Sequence, residues 1–100
     1  MIISKFKDIS EDNKYARTYI KLVTRAQSRA NSRNHAKQIL EYVEGHHIIP
    51  SSIAPELRLD TDNIAFLSPR EHFICHLLLT KCMVDPIHRM KMSFALSMMY

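Results

Sequence analysis

Between residues 11 and 30 the chain has neither Pro nor Gly, and apolar positions return every third or fourth residue: Tyr15, Tyr19, Leu22, Ala26 and Ala30, with Ile20 and Val23 widening the stripe. That period predicts one long helix, for which Ser10, Asp12 and Asn13 are candidate N-caps. A second stripe is cationic, with Lys14, Arg17, Lys21, Arg25 and Arg29 spaced 3, 4, 4 and 4. Like charges at these spacings repel by a few tenths of a kcal/mol, roughly, per pair. The face is therefore either an ordinary solvated surface or one made to lie beside phosphates. Small polar residues at 31–34 end the helix, and residues 35–41 fit a short helix or a loop equally well.

Residues 42–49 are rich in β-formers and stop at Pro50, which predicts a strand. A surface loop over 51–62 follows, long enough to suspect function, and residues 63–67 return as a second, antiparallel strand. Ser68-Pro69-Arg70-Glu71 then places a capping Ser, a Pro at the first helical position and a Glu at the third, a strong helix start. That helix is expected to reach about Met83. Asp85-Pro86 repeats the signal and opens a last helix over 86–100, with Ile87, Met90, Phe94, Leu96, Met98 and Met99 as its apolar positions and no Gly to close it before Tyr100. Two readings of this apolar end stay open: it packs on a partner, a second copy in a homodimer being the simplest, or the natural chain continues. Its methionines, Met90, Met92, Met98 and Met99, read as core or dimer packing rather than a soft-metal site. The expected class is α+β and mostly helical: a basic helical arm at 1–40, a strand–strand–helix core at 41–84 and a C-terminal helix at 85–100, all packed as one domain.

Composition narrows the picture. One hundred residues with 46% apolar, 24% charged, one Gly and four Pro make a single domain, and exclude disorder, collagen, linker sequence and a multidomain enzyme. A chain this short buries only roughly 60–65% of its unfolded surface, so a structural metal or a partner subunit would help it. No apolar run approaches the roughly 20 residues that span a bilayer, and residues 1–7 are too short and too broken by lysines for a signal peptide. A cytoplasmic protein without membrane contact is expected. Cys75 and Cys82, with no CxxC around either, read as reduced, partly buried thiols. The net charge of +4 hides an asymmetry: residues 1–40 hold nine Lys/Arg against three acids (+6), and residues 41–100 five against seven (−2). A basic front half suggests a polyanionic partner, nucleic acid first and an anionic membrane surface second.

Four histidines stand at meaningful spacings. His72 and His76 are four apart, so one helix face can offer both imidazoles to a single ion. His46 and His47 are adjacent on a strand and point to opposite faces. One of them can join the ion while the other stays free on a different side of the site. Three nitrogens with an open position suit a catalytic metal, whereas a closed structural site uses four protein ligands. His35 and His88 receive no role.

Glu44-Gly45-His46-His47-Ile48-Ile49-Pro50, then Asp62-Asn63-Ile64, then Ser68-Pro69-Arg70-Glu71-His72-Phe73-Ile74-Cys75-His76 resembles the HNH nuclease motif, the ββα-metal finger. It is most like the phage-associated HNH homing endonucleases, and its spacing is similar also to that of the DNase colicins. The resemblance covers roughly residues 42–83. It implies that His46, His72 and His76 hold one divalent ion (Mg, Mn, Zn or Ni), that His47 is the general base, and that Asn63 ties down the loop and so orients His47. Water deprotonated by His47 then attacks a phosphodiester of double-stranded DNA, the ion stabilises the leaving 3′ oxygen, and 5′-phosphate and 3′-hydroxyl ends result. Glu44 is expected behind a ligand and Arg70 on a phosphate, while Lys14, Arg17, Lys21, Arg25 and Arg29 track the DNA backbone. The compartment implied is the cytoplasm of a bacterium or a phage-infected host. The chain departs from the phage group in lacking a Gly-Gly turn after the His pair. The competing reading is a catalytically silent HNH finger, a metal-stapled DNA-binding module; against it stands His47, since a structural site has no use for a base beside its ligands. A toxin-type nuclease that needs a protein inhibitor is a third, weaker reading.

Overall fold

Asn13 begins the longest helix by accepting a hydrogen bond at Oδ1 from the Ala16 amide (2.8 Å), so of the three candidate caps it is Asn13 that acts. The computed structural model describes residues 1–99. Its helices are α1 (Ile2–Ile9), α2 (Lys14–Arg29), α3 (Arg33–Ile39), α4 (Pro69–Leu79) and α5 (Pro86–Ser97), and its strands β1 (Glu44–His47) and β2 (Ile64–Leu67). The result is a mostly helical α+β domain. Tyr100, where the sequence placed the end of the last helix, lies outside the described residues.

β1 and β2 pair antiparallel, with Glu44 opposite Leu67 and His46 opposite Ala65. The strands are shorter than expected; one further bond continues their register, from the Ile48 amide to the Asn63 carbonyl (2.8 Å), before Pro50 supports a turn. The loop between the strands carries two single 3₁₀ turns, Pro55–Leu57 and Thr61–Asn63. Residues 33–39, ambiguous in sequence, are helical because the Ser32 hydroxyl caps the His35 amide. α4 starts with the expected capping box between Ser68 and Glu71. It stops at Leu79 rather than near Met83, since the following segment bonds to the chain after α1: Glu11 donates to the Cys82 carbonyl (2.7 Å) and Val84 to that of Ile9 (3.2 Å).

The core is built around the buried face of α2, which packs against α4 and β2. That face is Ala16, Tyr19, Val23 and Ala26; of the stripe read from sequence Tyr19, Val23, Ala26 and Ala30 are buried, while Tyr15, Ile20 and Leu22 are only partly buried beside it. α1 was not anticipated at all. Its Ile2 and Phe6 are buried, and the Phe6 ring lies 4.9 Å from that of Tyr19 between centroids. Cys75 and Cys82 are buried free thiols, pushed up to about 12 chiefly by desolvation, and inert.

Within the single chain, α5 buries little of its expected apolar stripe. Only Met92 is buried, while Ile87, Met90, Phe94 and Met98 face outward, Phe94 being 67% exposed. The helix seats the opposite face, with Met92 inside and Lys91 donating to the Ser52 carbonyl (3.0 Å). No homodimer contact follows from that outward face. Phe94→Ser is accordingly expected to change stability by less than about 0.5 kcal/mol, against about 3–5 kcal/mol for Phe6→Ala. Urea unfolding of the two variants checks this, and a large loss in Phe94→Ser would show that the face is covered. No helix of the described residues is long and apolar enough to cross a membrane.

Candidate metal centre

Strand alternation turns His46 inward and leaves His47 half-buried on the other side of β1. α4 brings His72 and His76 beneath His46, and one ligand nitrogen from each of the three residues lies within 4.8 Å of the others. The three rings meet edge to face, with centroids 4.8–5.3 Å apart. Together with His47, Ser51 and Met92 they line a cavity of about 350 Å³. A larger cleft of about 580 Å³ between α1, the end of α2 and β2 holds no histidine, and its only acidic side chain is Asp62. The three converging histidines make the smaller cavity the candidate site.

Hydrogen bonds assign the proton on each ring. His72 Nδ1 is 2.9 Å from Glu44 Oε1, and a carboxylate only accepts, so His72 donates there and keeps a bare Nε2. Glu44 thus stands behind a candidate ligand and fixes the orientation of its ring. His76 Nε2 lies 3.1 Å from the bare His72 Nε2 and donates to it, while its own buried Nδ1 has no partner. His46 touches the Tyr19 hydroxyl through Nε2 at 2.7 Å. Burial, followed by the neighbouring histidines, holds the His46 pKa well below the usual imidazole range. Burial and His72 bring that of His76 down to about 4. Both rings are neutral at pH 7, the form that binds metal. Three imidazole nitrogens suit Zn, Ni or another transition ion better than Mg, which prefers oxygen donors.

His47 is held separately. Its Nε2 donates to the Arg58 carbonyl (3.0 Å), so Nδ1 is the acceptor of the neutral ring. Asn63 does not touch His47. Its side chain, fully buried, accepts from the Ile49 amide (2.8 Å) and donates to the carbonyls of Ile49 (3.0 Å) and Leu57 (3.4 Å). The loop is thereby pinned one residue before Arg58, and orientation reaches His47 through the backbone.

The cationic stripe divides. Lys14, Lys21 and Arg25 are exposed and form no ion pair among the described residues, and Arg17 pairs with Asp12 at 2.9 Å on the open surface. Arg29 is used internally: its two terminal nitrogens each reach a Glu71 oxygen at 2.9 Å, and one also donates to the Phe66 carbonyl at 3.0 Å. The pair holds the Glu71 carboxyl below its ordinary range and locks α2 to the start of α4, so Arg29 is not free for a phosphate. Arg70, at the second position of α4, is exposed and forms no ion pair among the described residues.

Two residues were missed by sequence reasoning. Arg33 lies over the Phe66 ring, 5.5 Å from its centroid, and a Cβ on Gly45 would sit 3.0 Å from its guanidinium. Gly45 pairs with Phe66 in the sheet, so Arg33, which donates to the Val43 carbonyl (3.4 Å) and forms no ion pair among the described residues, occupies the strand face that also carries His47. Only the missing side chain at Gly45, visible in sequence, hinted at a close approach there. Tyr19 was read as core, and nothing in the one-dimensional pattern linked it to His46.

A strand pair and a helix around three converging histidines, with a fourth held apart by a carbonyl, define a small α+β domain with a candidate metal centre. Over 67 residues, 67% of its length, the chain is 39% identical to the protein named "Probable mobile endonuclease E" of Enterobacteria phage T4. It is 39% identical, again over 67 residues, to "Probable mobile endonuclease D" of the same phage. The chain covers 41% of the first relative and 24% of the second. These relatives bear out the likeness to phage-associated mobile endonucleases read from the motif. No family model matches the chain, and no solved structure matches it significantly.

Proposed function

We propose that the chain is the nuclease core of a metal-dependent HNH endonuclease that hydrolyses phosphodiester bonds in DNA to 5′-phosphate and 3′-hydroxyl ends, in a homing-type role. The observation that carries this is the division of labour among four histidines. His46, His72 and His76 converge, while His47 lines the same cavity with Nδ1 left as an acceptor.

His46, His72 and His76 would hold the ion. Bound there, a divalent ion supplies positive charge to a non-bridging phosphate oxygen and to the leaving 3′ oxygen. His47 Nδ1 takes a proton from the attacking water, and the Arg58 carbonyl keeps the ring turned for that transfer. Arg33 would meet a phosphate on the His47 face, stacked on Phe66 and without an ion pair among the described residues. Lys14, Lys21 and Arg25 on α2 extend a basic surface along the backbone, joined by Lys81, whose ammonium shares the Tyr15 ring with Lys14. Such contacts give affinity and salt dependence rather than sequence choice.

Purified protein incubated with supercoiled plasmid and Zn²⁺, Ni²⁺, Mn²⁺ or Mg²⁺ is expected to nick or linearise the DNA, with EDTA abolishing the reaction. Binding of DNA and metal with the plasmid intact under every ion would overturn the enzyme reading in favour of a silent metal-stapled finger.

A further inference from the structure

The Tyr19 hydroxyl makes two contacts and owns one proton. It lies 2.7 Å from His46 Nε2 and 2.7 Å from the Ile48 carbonyl oxygen. The carbonyl can only accept, so the phenol proton must point at Ile48. Were it turned to His46 instead, two oxygens would face each other at 2.7 Å with no proton between them. The remaining contact then requires His46 Nε2–H to donate to the Tyr19 oxygen. All three groups are buried, so water cannot relieve the alternative arrangement.

We infer that Tyr19 of α2 is a positioning residue that fixes the tautomer of His46, leaving Nδ1 bare as the nitrogen offered to an ion. The inference rests on the reading of the three histidines as a metal centre. Glu44 performs the same service for His72 with the opposite ring nitrogen. The two ligands on different elements are thus each set by a hydrogen bond from behind, one ionic and one neutral. α2 therefore does more than carry a basic face: its buried side completes the site. An aromatic ring without the hydroxyl fills the same space against Phe6 but leaves the tautomer free.

The test is made on metal-free protein labelled with ¹⁵N at histidine, by long-range ¹H–¹⁵N correlation of the His46 ring, and then by calorimetric titration with Zn²⁺. Wild type is expected to show protonated Nε2 and bare Nδ1. Tyr19→Phe is expected to show both tautomers and a zinc affinity about 10–100-fold lower, with an unchanged circular dichroism spectrum. A wild-type His46 protonated at Nδ1 overturns the inference even if the variant does not fold. So does a folded variant that changes neither the tautomer nor the affinity. Wild type with bare Nδ1 that takes up no zinc instead overturns the metal reading, and leaves the hold of Tyr19 on the tautomer standing.

Discussion

His47→Ala is expected to lower plasmid cleavage by about two to four orders of magnitude while leaving zinc affinity within about twofold, because the deleted ring is a base and not a ligand. The structural reason is strand geometry. His46 and His47 are neighbours on β1, yet one is 2% exposed among the ligands while the other is half-buried and bonded to the Arg58 carbonyl. Removing His47 takes away a proton acceptor without disturbing the convergence of His46, His72 and His76. Cleavage kinetics and calorimetry on the same preparation separate the two effects. An equal fall in metal affinity and in rate would place His47 among the ligands and undo the division of labour on which the proposed function rests.

Asn63→Ala is expected to be among the most damaging single changes to stability, at about 2–4 kcal/mol, close to the loss expected for Phe6→Ala. One side chain, with no exposure to water, satisfies both the amide and the carbonyl of Ile49 and reaches the Leu57 carbonyl besides. Alanine leaves these groups facing a void, and for a domain of this size the loss corresponds to a melting temperature lower by on the order of 10–25 °C. Cleavage should fall with it even below the melting range, since the loop that carries Arg58 loses its anchor. Thermal unfolding followed by circular dichroism gives the answer. A variant that melts within about 4 °C of wild type would show that water or a shifted backbone replaces the amide.

The helix starts were legible because capping is local. Ser68 and Asp85 each lie within three residues of the amides they accept from, and a Pro follows each directly. The strand pair and the His72/His76 face were legible for a similar reason, since periods of two and of nearly four are written directly in the chain. The end of α4 was not, because the segment after it exchanges backbone hydrogen bonds with residues at and just beyond the end of α1, some seventy positions earlier: Glu11 donates to the Cys82 carbonyl and Val84 to that of Ile9. α1 itself left only the short spacing of Ile2 and Phe6, and its helix is held by the core it helps to build. α5 shows the limit most plainly: an apolar stripe in sequence names a hydrophobic face but not whether the fold covers it, and here the fold seats Met92 and turns Phe94 out.

The sequence by itself determined the order of the long helix, the strand pair and the last two helices, the caps at Ser68 and Asp85, and the set of histidines, including which pair shares a helix face and which pair is split by a strand. These follow from backbone periodicity and from hydrogen bonds that close within one turn. Only the tertiary structure decided what each polar side chain is used for. Arg29 meets Glu71 across 42 residues and leaves the basic face, Arg33 meets Phe66 across 33, and Tyr19 meets His46 across 27 to set its proton. The reason is physical. A buried or half-buried polar group must find a partner, and the partner it finds depends on which distant segments the apolar core brings into contact.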